Sequence, residues 1–171
     1  MLDKSATAIG RRLLKERLLN PIMEKEELER RYNLIEKVSS HVRFLDETMR
    51  GIYDLERLSR RLSLGRLHPF EMNHVYDSML SVKELMSYVK KYKIQKTPFH
   101  ESELDEFIRD IQKSIDLDVS RRFTNNTVNE NFLMNGVDEA IDTLVHENSI
   151  MMIAFEDIIS RIETLLVNVN A

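Results

Sequence analysis

The sequence contains no cysteine. That excludes disulfides, thiolate zinc sites and thiol nucleophiles. Only 4 glycines and 3 prolines punctuate 171 residues, too few for the many turns of a β-sandwich, so long helices are expected. Gly10, Gly51, Gly65 and Gly136 stand too far apart to build a phosphate-cradling loop. Neither G-x-x-x-x-G-K-[ST] nor G-x-G-x-x-G occurs, so no common nucleotide motif is present. No apolar run reaches the roughly 18 residues that a membrane span needs. The opening stretch MLDKSATAIGRRLLKERLL lacks the continuous apolar core of a secretion signal. An intracellular protein with no membrane partner is expected.

Charge and helical periodicity are abundant. Hydrophobic residues make up 42% and charged residues 32%, which suits one domain with a modest core. The net charge of -4 hides an asymmetry. Residues 1–100 carry 20 Lys and Arg against 14 Asp and Glu, whereas residues 101–171 carry 5 against 15. Solvated helical faces of opposite sign explain this most simply. A basic front half also admits weak, salt-dependent phosphate contacts, with Arg11, Arg12 and Lys15 as candidates. No aromatic residues are interleaved with the arginines, so any nucleic-acid contact there would be to the backbone.

The expected fold is all-α. Thr7 is placed to cap a first helix ending near Leu19, with Ile9, Leu13, Leu14 and Leu18 on one side and a break at Asn20-Pro21. A second helix from about Glu24 aligns Leu28, Tyr32, Ile35 and Val38. Ser39 or Ser40 then caps a third, running to about Ile52. A short helix ends near Gly65, and Pro69 opens a longer one to about Tyr92 with Val75, Met79, Val82, Met86 and Val89 in its stripe. After the connector KIQKTPFHE, a helix spans about 102–115, and residues 116–135 read as a crossing loop.

The last helix, about 137–169, is the longest. Val137, Ile141, Leu144, Asn148, Met151, Phe155, Ile158, Ile162, Leu165 and Val169 alternate steps of three and four. Val145, Met152, Ile159 and Leu166 widen the stripe, as in a helix packed on more than one neighbour. Asn148 either fixes register inside a seam or faces water.

Candidate chemistry is sparse. Glu71 and His74 form one Glu-x-x-His on a helix, a metal-ligand spacing that di-iron bundles use twice. Asp142 and His146, at i and i+4, have the spacing to share a metal or a hydrogen bond, and a surface pair is the favoured reading. His41, His68 and His100 lie near helix ends without a visible partner. No catalytic set, metal site or cofactor site emerges.

Several runs resemble one family in order. TAIGRRLLKERLLNPI at 7–22, through Thr7, Gly10, Arg12, Leu13, Leu14, Leu18, Pro21 and Ile22, resembles the opening of the core domain of the MutS family of DNA mismatch-repair ATPases. LERRYNLIE at 28–36 resembles that family's next helix. DLERLSRRL at 54–62 matches most closely, through Asp54, Glu56, Arg57 and Arg61. FLMNGVDEAIDTL at 132–144 resembles the turn into a long lever helix, with Gly136 before it and Asp142 within it. Arg17 stands where many members have Trp.

This resemblance implies core helices over 1–95, a connecting helix and loops over 96–135, and a lever helix over 136–171 leading into a DNA clamp. The sequence would then be the first half of a core/lever domain. Its partners would be the clamp, a returning second lever helix and an ATPase in the same polypeptide, with duplex DNA gripped by the parent. ATP and Mg would belong to the parent and not to this part, which is expected to be structural and non-catalytic. Leu55, Leu58 and Leu62 should be buried together, with Arg57 and Arg61 paired to carboxylates. The uncovered end of the lever, residues 155–169, is expected to self-associate or fray. A stand-alone helical interaction module is the alternative.

Overall fold

The computed structural model describes residues 3–94, 100–123 and 130–169, with side chains through Thr164 in the last helix. Among the described residues eight helices follow one another: α1 Ala8–Leu19, α2 Lys25–Ser39, α3 Val42–Arg50, α4 Leu55–Ser63, α5 Pro69–Lys91, α6 Glu101–Ser114, α7 Leu117–Arg122 and α8 Glu139–Val169. The chain is an all-α helical bundle. Among the described residues the single β feature is an isolated antiparallel bridge between Ile115 and Leu133. The expected connector at 95–99, the Asn-rich segment 124–129, and the side chains of Leu165, Leu166 and Val169 lie outside the described residues.

Local chemistry sets the helix ends. Thr7 Oγ1 accepts the Gly10 N–H at 2.9 Å and caps α1. A Cβ at Gly10 would lie only 3.0 Å from that oxygen, which favours glycine three residues after the cap. Gly65 ends the turn after α4 with φ +63, a conformation costly for residues with a Cβ. Pro69 opens α5, where its missing N–H leaves no intrahelical bond unmade. Beyond α5, Lys93 holds φ +50 and the Ile94 N–H reaches the Val89 carbonyl at 3.1 Å, burying Ile94.

Packing converges on α5, against which α3, α4, α6 and α7 all lie. The core comprises Leu45, Leu58, Met86, Ile94, Ile108, Ile111 and Phe123. Of the expected α5 stripe, Met86 is buried and Val75, Met79, Val82 and Val89 are half-buried. Glu71, Asn73 and Ser78 are buried as well, because neighbours cover more than one side of the helix.

Several expectations are corrected. Ser39 does not cap α3: α2 runs through it, and its hydroxyl donates to the Glu36 carbonyl at 2.7 Å. His41 precedes α3 without a side-chain cap bond. The stretch 116–135 is not simply a loop, since Asp116 caps the short α7 by accepting the Asp118 and Val119 N–H groups at 3.0 Å. In α1, Ile9 and Leu14 are half-buried, but Leu13 and Leu18 are exposed, as are Tyr32 and Ile35 of α2. Val137 precedes α8, and both it and Leu144 are exposed, leaving half-buried Ile141 as the apolar contact at the helix base. Asn148 faces solvent.

The accessible surface is 13,784 Å² for 20.2 kDa. A compact monomer of that mass exposes about 8,800 Å². The excess agrees with helix faces that no other described residue covers, chiefly in α1, α2 and α8.

The fourth helix separates its leucines by burial. Leu58 is 1% exposed and Leu62 is 57% exposed, so Leu62 is not the core residue that spacing suggested. Leu58→Ala should cost about 2–5 kcal/mol, and Leu62→Ala about 0.5 kcal/mol or less. Denaturant melts of both variants check this; equal losses would contradict the placement.

Candidate functional site

Two sequence runs separated by 42 residues meet at Arg12. Its guanidinium donates from Nη1 to Asp54 Oδ2 at 2.8 Å and from Nη2 to Asp54 Oδ1 at 2.7 Å. Nη2 also lies 2.6 Å from Glu56 Oε2. This fork-to-fork pairing is directional in a way a lysine ammonium cannot reproduce. Asp54 also caps α4 by accepting the Arg57 N–H at 3.3 Å. One carboxylate therefore starts α4 and anchors α1. The hydrogen bonds from Arg12 hold the Asp54 carboxyl down at about 2, assisted by the Arg57 N–H and opposed by partial burial. Arg12 is correspondingly raised, first by its hydrogen bonds to Asp54.

The rest of the 54–62 run is also structural. Arg61 Nη1 lies 3.0 Å from Glu71 Oε1, while its Nη2 donates to the Arg66 carbonyl at 3.0 Å. Glu71 is buried, and its Oε2 accepts the His68 N–H at 3.0 Å. A buried carboxylate is tolerable because both oxygens are engaged. The Arg57 side chain forms no ion pair among the described residues, contrary to expectation. Tyr53 stacks on His74 with ring centroids 4.1 Å apart. The Glu-x-x-His spacing therefore serves an ion pair and a ring stack. Among the described residues no group of three His, Cys, Asp or Glu is placed to hold a metal ion.

At the base of α8, Gly136 takes φ +88 and its N–H donates to Asp142 Oδ2 at 2.7 Å. Asp138 Oδ1 accepts the Ala140 and Ile141 N–H groups at 2.9 and 3.1 Å. Asp142 is thus turned toward the preceding turn, which corrects its expected pairing with His146. From Thr143 through Thr164 every residue of α8 is exposed.

The remaining candidates lie apart from these clusters. Pro21 sits in the exposed break between α1 and α2. Arg11 Nε pairs with Asp3 Oδ2 at 2.8 Å, and Lys15 is exposed. Arg12 has two carboxylates at hand, so a phosphate there would have to compete with them.

Sequence reasoning missed two polar linkages. Ser120 Oγ accepts from Asn73 Nδ2 at 3.0 Å and donates to the Pro69 carbonyl at 2.5 Å, tying α7 to the first turns of α5. His41 Nδ1 lies 2.9 Å from the Tyr88 hydroxyl, joining α3 to the end of α5. The partners lie 47 residues apart in both cases, and nothing in the local pattern signals them.

The family model for MutS domain III matches residues 1–171. The chain belongs to that family. Over 152 residues it is 27% identical to a DNA mismatch repair protein MutS homologue of Acanthamoeba polyphaga mimivirus, covering 84% of this chain and 14% of that protein. The DNA mismatch repair protein MutS of a Geobacillus species is 32% identical over 94 residues, covering 53% of this chain and 11% of that protein. That of Caldanaerobacter subterraneus is 26% identical over 147 residues, covering 84% and 17% respectively. The chain thus spans less than a fifth of the length of each of these relatives. No solved structure matches it significantly.

The Arg12 cluster predicts an acid response. Free Asp titrates near ~3.9, above the folded value of about 2 for Asp54. The stabilisation from Asp54 is therefore complete above about pH 4 and disappears as pH falls through about 2. Arg12→Ala should return most of the Asp54 titration toward ~3.9 and flatten the stability loss across that window. Side-chain carboxyl NMR reads this directly; an unmoved Asp54 titration would contradict the assignment.

Proposed function

We propose that this chain is the core and first lever of a larger DNA mismatch-repair ATPase, linking the parent's nucleotide site to its DNA clamp. The observation that carries this reading is α8. At 1.5 Å per residue, its 31 residues extend roughly 46 Å. Its first turn is set by Asp138, Asp142 and Gly136, the segment just before it is tied to the body through the Ile115–Leu133 bridge and the Met134 N–H on the Ser114 carbonyl, and its described side chains are exposed from Thr143 to Thr164. A stiff rod anchored at one end turns a small rotation of the body into a large displacement at its tip. The domain family and the names of the relatives support a place for that rod in DNA mismatch repair.

In this reading residues 1–95 form the body, 96–135 connect, and 136–171 lead toward the clamp. A returning helix of the parent covers the apolar face of α8. Coupling needs an element with two arrangements that both sites bias, and α8 on its glycine turn is that element. ATP and Mg are held elsewhere in the parent, and no catalytic step is assigned to this chain. The parent works inside the cell on duplex DNA. No helix among the described residues is long and apolar enough to cross a membrane.

Two experiments test this. The 171-residue chain should bind duplex DNA weakly, with equal affinity for mismatched and matched duplexes and a steep loss with salt. Mismatch selectivity at physiological salt in an anisotropy titration would place lesion recognition here and contradict the reading. In the complete protein, Ala154→Pro should kink the middle of α8. ATP turnover without DNA should persist, and its response to mismatched DNA should fall several-fold. An unaltered response would exclude α8 as the link.

A further inference from the structure

The segment before α8 is tied to the body as far as Met134. The Asp116 N–H donates to the Phe132 carbonyl at 2.8 Å and the Met134 N–H to the Ser114 carbonyl at 3.1 Å, closing the Ile115–Leu133 bridge. The Asn131 amide grips the other side of this strap. Its Oδ1 accepts the Leu133 N–H and its Nδ2 donates to the Leu133 carbonyl, both at 3.0 Å. The Phe132 ring meets buried Phe123 edge-on, with centroids 5.1 Å apart. On the far side, Asp138 caps α8. Between the two lie Asn135, Gly136 and Val137. Gly136 holds φ +88, and a Cβ there would meet nothing within 4 Å, so no packing contact at that position holds its torsions. None of the seven preceding helices packs along α8. A groove of about 580 Å³, lined by Leu133 and Met134 on one side and by Val145, Asn148 and Met152 on the other, leaves it room to swing.

We propose that the hydrogen bond from the Gly136 N–H to Asp142 is the latch that sets the direction of α8 on the body, and that α8 changes direction by opening this bond and turning about Gly136. This rests on the reading of α8 as a lever. The Gly136 nitrogen lies upstream of the φ and ψ rotations of Gly136 and Val137, and Asp142 lies downstream of them, in the first turn of the helix. A bond of 2.7 Å across those rotations fixes them together, because a hydrogen bond weakens steeply as its angle departs from the optimum. A carboxylate acceptor makes it of the stronger, charge-assisted kind. The other bond over the turn, from the Val137 N–H to the Met134 carbonyl, is 3.3 Å long and stops short of α8. Half-buried Ile141 adds an apolar contact at the base, but apolar burial is non-directional and fixes no torsion. Glycine permits the alternative, since without a Cβ it takes negative φ about as readily as positive. The latch gives the lever two arrangements, one with the bond made and one with it broken.

The test is a distance measurement in the 171-residue chain. The sequence has no cysteine, so Glu84→Cys in α5 and Ser160→Cys in the outer half of α8, both exposed positions, take spin labels at two defined places. Pulsed dipolar spectroscopy, at concentrations where the chain is monomeric, reads the spread of distances between them. With the latch intact the distribution should be one narrow peak, and Asp142→Ala should widen it at least ~2-fold. Asp142→Asn keeps an oxygen that accepts the Gly136 N–H and should widen it less. Glu139→Ala removes the other acidic side chain of the first turn, which holds no bond to Gly136, and should leave the peak as it is. Circular dichroism should show equal helicity in all of these chains. An Asp142→Ala distribution as narrow or as broad as the parent's would overturn the latch. Equal widening in Glu139→Ala would also overturn it, by assigning the effect to charge at the helix start, as would widening that appears only with loss of helicity. None of these results touches the lever reading, which stands or falls on the response of the complete protein to the Ala154→Pro kink.

Discussion

Helix α5 pairs most of its buried polar groups while four other helices lean on it, Asn73 Oδ1 being left without a partner among the described residues, and that constraint organises the body. Where α7 crosses its start, the Ser120 hydroxyl is fully buried between the Asn73 amide and the Pro69 carbonyl. Farther along, Ser78 accepts the Tyr53 N–H at 2.9 Å and donates to the His74 carbonyl at 2.6 Å, fixing the approach to α4. Toward the end of α5, Tyr88 stacks on Phe44 with centroids 3.8 Å apart and meets His41. Buried polar groups cost heavily when unpaired and little when paired. These contacts therefore select one docking position for each neighbour more than they add stability.

Around that axis the family-like motifs act as braces. Arg12 ties α1 to the cap of α4, and Arg61 ties α4 to the buried Glu71 at the start of α5. The two ion-pair clusters carry the line α1–α4–α5. No residue of α1 is buried, and beside the half-buried Ile9 and Leu14 the arginine fork links it to α4. Gly136 and Asp142 set only the turn that opens α8, and the segment before it is tied to the body by the Ile115–Leu133 bridge and by the Met134 N–H on the Ser114 carbonyl at 3.1 Å. The body is thus cross-braced, whereas α8 is held at one point.

Helix existence and helix ends were legible in the sequence wherever a residue has one dominant physical use. Thr7 with Gly10, Asp54 before a leucine-rich run, Gly65 followed by Pro69, and the unbroken period of α8 are of that kind. Which face each helix buries was not legible, because periodicity defines a stripe without naming its cover. Leu62 lies on the stripe of α4 and still faces solvent, while Asn73, off any apolar stripe, is buried under α7. The short α7 was missed since six residues are too few to show a period. Of the candidate site, the family motifs were visible as strings. That Arg12 reaches Asp54 and Glu56 depends on how α1 folds back on α4, which no local pattern records.

Packing is concentrated on α5, and among the described residues the side chains of α8 are exposed from Thr143 to Thr164. Hydrogen exchange resolved along the chain measures this division directly, since protection follows the free energy of local opening. In the isolated chain, the slowest amides should lie in α5, and protection in α8 should decline from Ile141 toward Thr164. Protection through the outer half of α8 equal to that of α5, at concentrations where the chain is monomeric, would contradict the account.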